Sequence, residues 1–190
     1  MEAATLDAST GVERLEAYVD LLADVAVPRG FIASGDRERL LDRHVLDALR
    51  AASAIRQAET IADLGSGAGL PGLPLAIVRP DARFTLIEAR RPRAAFLELA
   101  VERLGLDNVE VAIVRVEDLP GASFEAATAR AFAPVDRAWE LGRRVLVAGG
   151  CLVVFAGRGA AVPRELAGAS SVVPQPPLLA SQGPLIIITR

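Results

Sequence analysis

The sequence predicts an open α/β sheet, mostly parallel, with an antiparallel C-terminal hairpin and an N-terminal helical cap. Three observations carry this prediction. From residue 60 onward, short apolar runs alternate with helix-length segments. A glycine-rich turn, Gly65 to Gly72, joins the first run to the first of those segments. Two apolar runs near the C-terminus have no helix-length insert between them, which suits a hairpin.

Residues 11–26 place Leu15, Val19, Leu22 and Val25 at helical spacing, and Pro28-Arg29-Gly30 breaks that helix. A second amphipathic helix is expected from Asp36 to Ile55, with Leu40, Leu41, Val45, Leu46 and Leu49 on its apolar side. These two helices form the cap, residues 1–56. The core, residues 57–190, begins with strand Thr60–Leu64, helix Leu73–Val78, strand Arg83–Ile87, helix Pro92–Leu104 and strand Val109–Val114. It continues with strand Ala126–Ala129, helix Val135–Val147 and strand Cys151–Phe155, and closes on a hairpin of Ser171–Val173 and Pro184–Thr189. The alternation implies right-handed crossovers and a mostly parallel sheet. Such a sheet binds ligands outside the carboxyl ends of its strands, at the topological switch point. A chain of 190 residues suits a single domain with a substantial core.

Composition excludes several classes. Hydrophobic residues make up 52% of the chain and mean hydropathy is +0.34, against disorder. No apolar run reaches the roughly 18 residues of a membrane span. Residues 1–10 carry Glu2 and Asp7 and lack the basic and apolar regions of a signal peptide, so a cytoplasmic protein is expected. Cys151 is the single cysteine and His44 the single histidine, so neither an internal disulfide nor a bound metal is expected. The expected assembly is a monomer. Net charge is -3, and every one of the 21 basic residues is arginine. A generally basic nucleic-acid surface is excluded; a local arginine patch is not.

The first strand runs into Asp63-Leu64-Gly65-Ser66-Gly67-Ala68-Gly69-Leu70-Pro71-Gly72. Glycines let the backbone turn sharply and approach a ligand closely. Gly67, Gly69 and Gly72 also satisfy the literal dinucleotide pattern G-x-G-x-x-G. Electrostatics separates the two ligand classes. A pyrophosphate would sit beside the acidic Asp63, whereas S-adenosylmethionine carries a sulfonium and an ammonium that suit it. Glu88, at the end of the second strand, can accept ribose hydroxyls in either class. The combination favours the methyl donor, and with it a class I methyltransferase with a Rossmann-like sheet. A nicotinamide oxidoreductase is the alternative that the literal glycine pattern leaves open.

The stretch IADLGSGAGLPGLPLAIVRPDARFTLIEARRPRAAFLELAVERLGLDNVEV is similar to the GidB/RsmG family, bacterial enzymes that methylate guanine N7 of small-subunit (16S) ribosomal RNA. Three further blocks resemble that family in order and spacing: Arg43-His44-Val45-Leu46-Asp47-Ala48-Leu49, Arg115-Val116-Glu117-Asp118 and Arg130-Ala131-Phe132-Ala133-Pro134. The resemblance implies S-adenosylmethionine as cofactor, with contacts from Gly65, Leu70, Val116, Glu117 and Arg130. It implies small-subunit ribosomal RNA, or the small subunit itself, as partner.

Attack by guanine N7 on the sulfonium methyl needs no general base, so the protein's task is alignment and exclusion of water. Arg130 and His44 are the candidate catalytic residues. His44 and Asp47 share a helix face and suit ordering of the turn or the substrate pocket. Arg130 suits bidentate holding of the base or a phosphate, and its alternative is a structural ion pair with Asp63 or Glu117. Phe132 is a candidate for base stacking, and Arg43, Arg90, Arg91 and Arg93 for phosphate contacts. Cys151 reads as packing.

The sequence departs from the family on the substrate side. Ala156 stands where family members usually carry a lysine, with Arg158 two residues on. Gly30-Phe31-Ile32-Ala33 replaces the usual Asn-Leu-Thr segment. A divergent paralogue that binds S-adenosylmethionine but methylates another acceptor, or none, is the alternative.

Overall fold

The computed structural model describes residues 8–190; Glu2 and Asp7, used above to argue against a signal peptide, lie outside the described residues. The strands are β1 (Thr60–Leu64), β2 (Arg83–Ile87), β3 (Val109–Ala112), β4 (Phe124–Arg130), β5 (Leu146–Phe155), β6 (Ser171–Gln175) and β7 (Leu185–Thr189). They form one sheet in the order β3-β2-β1-β4-β5-β7-β6. β1 to β5 pair in parallel, and β7 lies antiparallel between β5 and β6. The sheet is therefore mostly parallel with the antiparallel hairpin at one edge, as the sequence predicts.

Strand alternation assigns the two faces. Ala62 and Leu64 of β1 pack with Trp139, Leu141 and Val145 of α5 (Val135–Val145). Ile61, on the opposite face, packs with Leu75 and Ala76 of α3 (Gly72–Val78). α4 (Arg91–Leu104) buries Phe96, Leu97, Ala100 and Leu104 on this second side. Pro92 at its start and Gly105 in the left-handed conformation beyond its end explain its limits.

The cap joins the α3–α4 side. α1 (Ala8–Leu21) continues as a wide π-helical turn over Leu22–Ala26, and Tyr18, Leu22 and Ala26 enter the same apolar cluster as Leu73, Ile77, Leu86 and Phe96. The second cap segment corrects the sequence expectation. Instead of one helix from Asp36 to Ile55, the chain makes a 3-10 helix (Ser34–Arg39), a π-helix (Leu40–Val45) and the short α2 (Leu46–Leu49), then turns through residue 57. Leu40 and Val45 remain buried through these changes of helical bonding, while His44 faces β4. Leu41 and Leu46, expected on the apolar side, are exposed.

A second correction lies at Leu146–Val147. The expected helix ends at Val145 and β5 starts at once, with a register irregularity against β4 where Ala148-Gly149-Gly150 bulges. Among the described residues, no helix is long and apolar enough to cross a membrane.

Candidate functional site

β1 and β4 are adjacent and parallel, but their following segments leave to opposite faces of the sheet: the chain after β1 enters α3, and the chain after β4 enters α5. Their carboxyl ends part at this switch point and open a crevice of about 400 Å³. Gly65, Glu88, Val116, Glu117, Ala131 and Phe132 are among its walls. The structure thus brings together four of the sequence-predicted cofactor residues, from the ends of β1, β2 and β3.

Glu88 is 6% exposed. One carboxylate oxygen accepts the Gly67 N–H at 3.0 Å and the other accepts the Arg90 N–H at 2.8 Å. It clamps the glycine turn to the end of β2 and is not a solvated acid beside arginine side chains. Each oxygen retains a lone pair for a hydroxyl donor in the crevice.

Asp63 sits differently from its expected place. It is 1% exposed and lies beneath the turn, on the face of β1 that carries α3. Its Oδ1 accepts the Thr128 hydroxyl at 2.7 Å from the neighbouring position on β4, and its Oδ2 accepts the Gly72 N–H at 3.3 Å. Its geometry is that of a brace under the turn, and any effect on a bound cation acts through the field. Burial pushes its carboxyl up to about 6, although Thr128, Gly72 and the Arg130 charge pull it down.

Between pH 3.8 and about 6 the folded state holds a proton that the unfolded state has lost. Stability from this group is complete below pH 3.8 and is lost as pH rises through 6. Asp63→Asn is expected to stabilise the chain above pH 7 by up to about 3 kcal/mol and to do little at pH 4. Thermal unfolding of both proteins from pH 4 to 8 checks this; a constant difference across that range would refute it.

The turn is also held from the cap. Tyr18, the single tyrosine, is fully buried in α1 and donates its hydroxyl to the Ala68 carbonyl at 2.7 Å. Burial and the nearby Asp63 charge hold this phenol well above its ordinary range, so it stays a donor. Gly69, at φ +88°, has no room for a Cβ: one would collide with Leu73 and come within 3.1 Å of the Tyr18 hydroxyl. Leu70 packs its side chain against the cap cluster. Tyr18 and Thr128 escaped the sequence reading. A lone tyrosine on an apolar helical stripe was the available signal, because its buried hydroxyl must find an acceptor.

Arg130, the last residue of β4, joins the core to the cap. Nη1 donates to the His44 carbonyl at 3.2 Å, and Nη2 donates to the Arg43 carbonyl and to His44 Nδ1, both at 3.1 Å. Its ion-pair partner is Asp47, at 3.5 Å, and not Asp63 or Glu117. Because Arg130 can only donate, His44 Nδ1 is the acceptor, and Nε2 carries the proton toward Asp36 Oδ2 at 3.1 Å. Burial, with Arg130 alongside, lowers the imidazole below its usual value, in keeping with a neutral ring. His44 and Asp47, paired in the sequence by their spacing, meet here on one guanidinium.

Beyond Arg130, Ala131 takes φ +50°, a conformation a non-glycine residue seldom adopts, and lines the crevice. Ala131 also lines two neighbouring cavities, one apolar (about 500 Å³, with Pro134, Val154 and Val162) and one rich in arginine (about 370 Å³). The Phe132 ring lies directly over Gly65. The predicted phosphate set is divided. Arg90 and Arg93 line the crevice and Arg43 the arginine-rich cavity, while Arg91 is exposed at the start of α4 and lines neither. Arg93 also lies 5.7 Å from the centre of the Phe31 ring. Glu117 pairs with Arg137 at 3.4 Å, and Cys151 is half-buried in β5 with its thiol pushed up by burial.

Residues 11–172 match the GidB family, described as rRNA small subunit methyltransferase G. The chain is 44% identical over 163 residues to the ribosomal RNA small subunit methyltransferase G of a Nocardioides strain, covering 85% of this chain. It is 42% identical over 165 residues to the protein of the same name from Kineococcus radiotolerans, covering 86%. The chain spans 64% of the length of each of these relatives. Among solved structures, a methyltransferase from Geobacter sulfurreducens superposes with a TM-score of 0.61 at 17% identity, over 94% of this chain and 97% of its own. That likeness is one of fold, a class I methyltransferase sheet, and the family rests on the sequence matches. By the extent and identity of those matches, the chain belongs to the GidB family, rRNA small subunit methyltransferase G.

Proposed function

We propose that this protein transfers a methyl group from S-adenosylmethionine to N7 of a guanine in small-subunit ribosomal RNA. The observation that carries the reading is the crevice at the switch point, with Gly65 of the turn on one wall and the Glu88 carboxylate, which holds the turn at Gly67, on another. The residues fit this cofactor. Glu88 can receive ribose hydroxyls, Val116 offers an apolar wall to the adenine, and Asp63 beneath the turn supplies an anionic field for a cation. A pyrophosphate in the same crevice would oppose both carboxylates.

S-adenosylmethionine supplies an electrophilic methyl carbon on a sulfonium. The chain supplies placement. Ala131 stands where the crevice meets the other two cavities, and Phe132 beside it in the crevice wall offers an aromatic face to an incoming base. Arg130 fixes this corner against the cap through His44 and Asp47. No proton need leave N7 before attack, so orientation is the protein's main contribution. The membership of the GidB family supports ribosomal RNA as acceptor, and such a substrate implies the cytoplasm.

The test is tritium transfer from labelled cofactor to small-subunit RNA, intact small subunits and unrelated nucleic acids, followed by nucleoside identification. N7-methylguanine at one position in the small-subunit material is expected. Transfer to a different atom, or equal labelling of all nucleic acids, would overturn the acceptor; no transfer would favour a non-catalytic protein.

A further inference from the structure

We propose that the arginine-rich cavity beside the crevice is a subsite for a backbone phosphate of the acceptor RNA, an inference that rests on the reading above. Its walls include Arg43, Arg50, Arg130 and Arg158 against the single acid Asp47, in a chain whose net charge is -3. The Asp47 carboxylate is already shared between Arg50 at 2.8 Å and Arg130 at 3.5 Å, so positive charge remains in excess. A concave surface of one sign concentrates its field on a counter-ion.

The four guanidinium groups divide into two kinds. Arg50 and Arg130 are built in. The Arg50 side chain is 6% exposed and donates twice to the Gly183 carbonyl at 3.1 Å, while Arg130 is held by the cap carbonyls. Their orientation is set before any ligand arrives, which lowers the ordering cost of binding. Arg43 and Arg158 stand at the rim. Arg43 is half-exposed with one weak tie to Asp36 at 3.2 Å, and Arg158 has no ion pair among the described residues. These two have donors to offer.

Position selects an RNA phosphate over an unrelated anion. Ala131 is common to this cavity and to the crevice, so an anion held here adjoins the place where the base must meet the cofactor. Ala156 and Gly157, with little or no side chain, line the same cavity beside Arg158 and leave its guanidinium room.

The experiment measures binding of a fluorescein-labelled, guanine-containing single-stranded oligoribonucleotide by anisotropy, from 50 to 200 mM KCl. Arg43→Gln and Arg158→Gln should each weaken binding about 5- to 10-fold at low salt and reduce the slope of log affinity against log salt by about 0.7. Arg103→Gln, on the far end of α4, serves as the charge control and should change affinity less than 2-fold. An oligonucleotide with neutral methylphosphonates flanking the guanine should bind the wild type as weakly as the rim variants bind the normal one. Calorimetry should give unchanged S-adenosylmethionine affinity in both variants, which also reports correct folding. The proposal is overturned if the rim variants match the control, if the wild type binds no RNA, or if cofactor affinity falls while RNA affinity holds. Failure of methyl transfer with these phosphate effects intact would instead count against the function proposed above.

Discussion

Arg130→Ala is expected to lower stability by about 3 kcal/mol, or about 6–12 °C in Tm for a chain of this size, and to reduce methyl transfer by about 1,000-fold. The side chain is 18% exposed, carries hydrogen bonds to three acceptors on the second cap segment, and stacks 5.8 Å from the centre of the Phe155 ring. Its removal leaves the His44 carbonyl and half of the Asp47 carboxylate without their charged donor, in a place that water reaches poorly. Arg130→Lys should recover little, since an ammonium cannot donate to the Arg43 and His44 carbonyls in one plane. A double-mutant cycle with His44→Ala separates the contact from general damage. A coupling of about 1 kcal/mol is expected, with the double variant losing less than the sum. Additive losses, with transfer intact in the surviving folded protein, would contradict a positioning role.

Gly69→Ala is the second large effect. An alanine at φ +88° costs about 1–2 kcal/mol in backbone strain. Its methyl also meets Leu73 and the Tyr18 hydroxyl, and forcing an atom into such a site costs about 1–3 kcal/mol more. Relief of the clash pushes the turn off Tyr18 and breaks the bond to the Ala68 carbonyl. Affinity for S-adenosylmethionine should fall at least about 100-fold by calorimetry, with a Tm loss of about 5–15 °C. Tyr18→Phe removes the bond without the clash and should reproduce a smaller part of both losses. Cofactor binding by Gly69→Ala at wild-type affinity would show that the turn's shape is not what the ligand reads.

The parts legible in the sequence were those whose partners lie nearby in the chain. β1 and β2 have the boundaries their apolar runs suggest, because strands buried on both faces read as continuous runs flanked by turns. Glu88 could be placed beside the glycine turn because β1, the turn and β2 form one βαβ unit. The second cap helix misled because apolar spacing reports which side chains face inward and not whether the bonds inside run three, four or five residues back. The partners of Arg130 were hidden for another reason. His44 lies 86 residues away, and nothing in either local segment specifies that they meet. Asp63 shows the same limit. Strand alternation already placed it opposite Ala62 and Leu64, but only the register of β4 reveals that Thr128 covers it.

The hairpin at the sheet edge bears on the order in which the site is made. Among the described residues β6 pairs only with β7, and the segment between them carries Ser181 and Gly183, which wall the arginine-rich cavity. Arg50, early in the chain, pairs locally with Asp47 and donates two further bonds to the Gly183 carbonyl. The residues that wall the crevice lie between the end of β1 and Phe132, two residues beyond β4. In a chain made from its N-terminal end, the residues that wall the crevice are therefore all present before those that complete the arginine-rich cavity. The two cavities thus draw on different lengths of the same chain, one walled by residues up to Phe132 and the other completed only at Gly183.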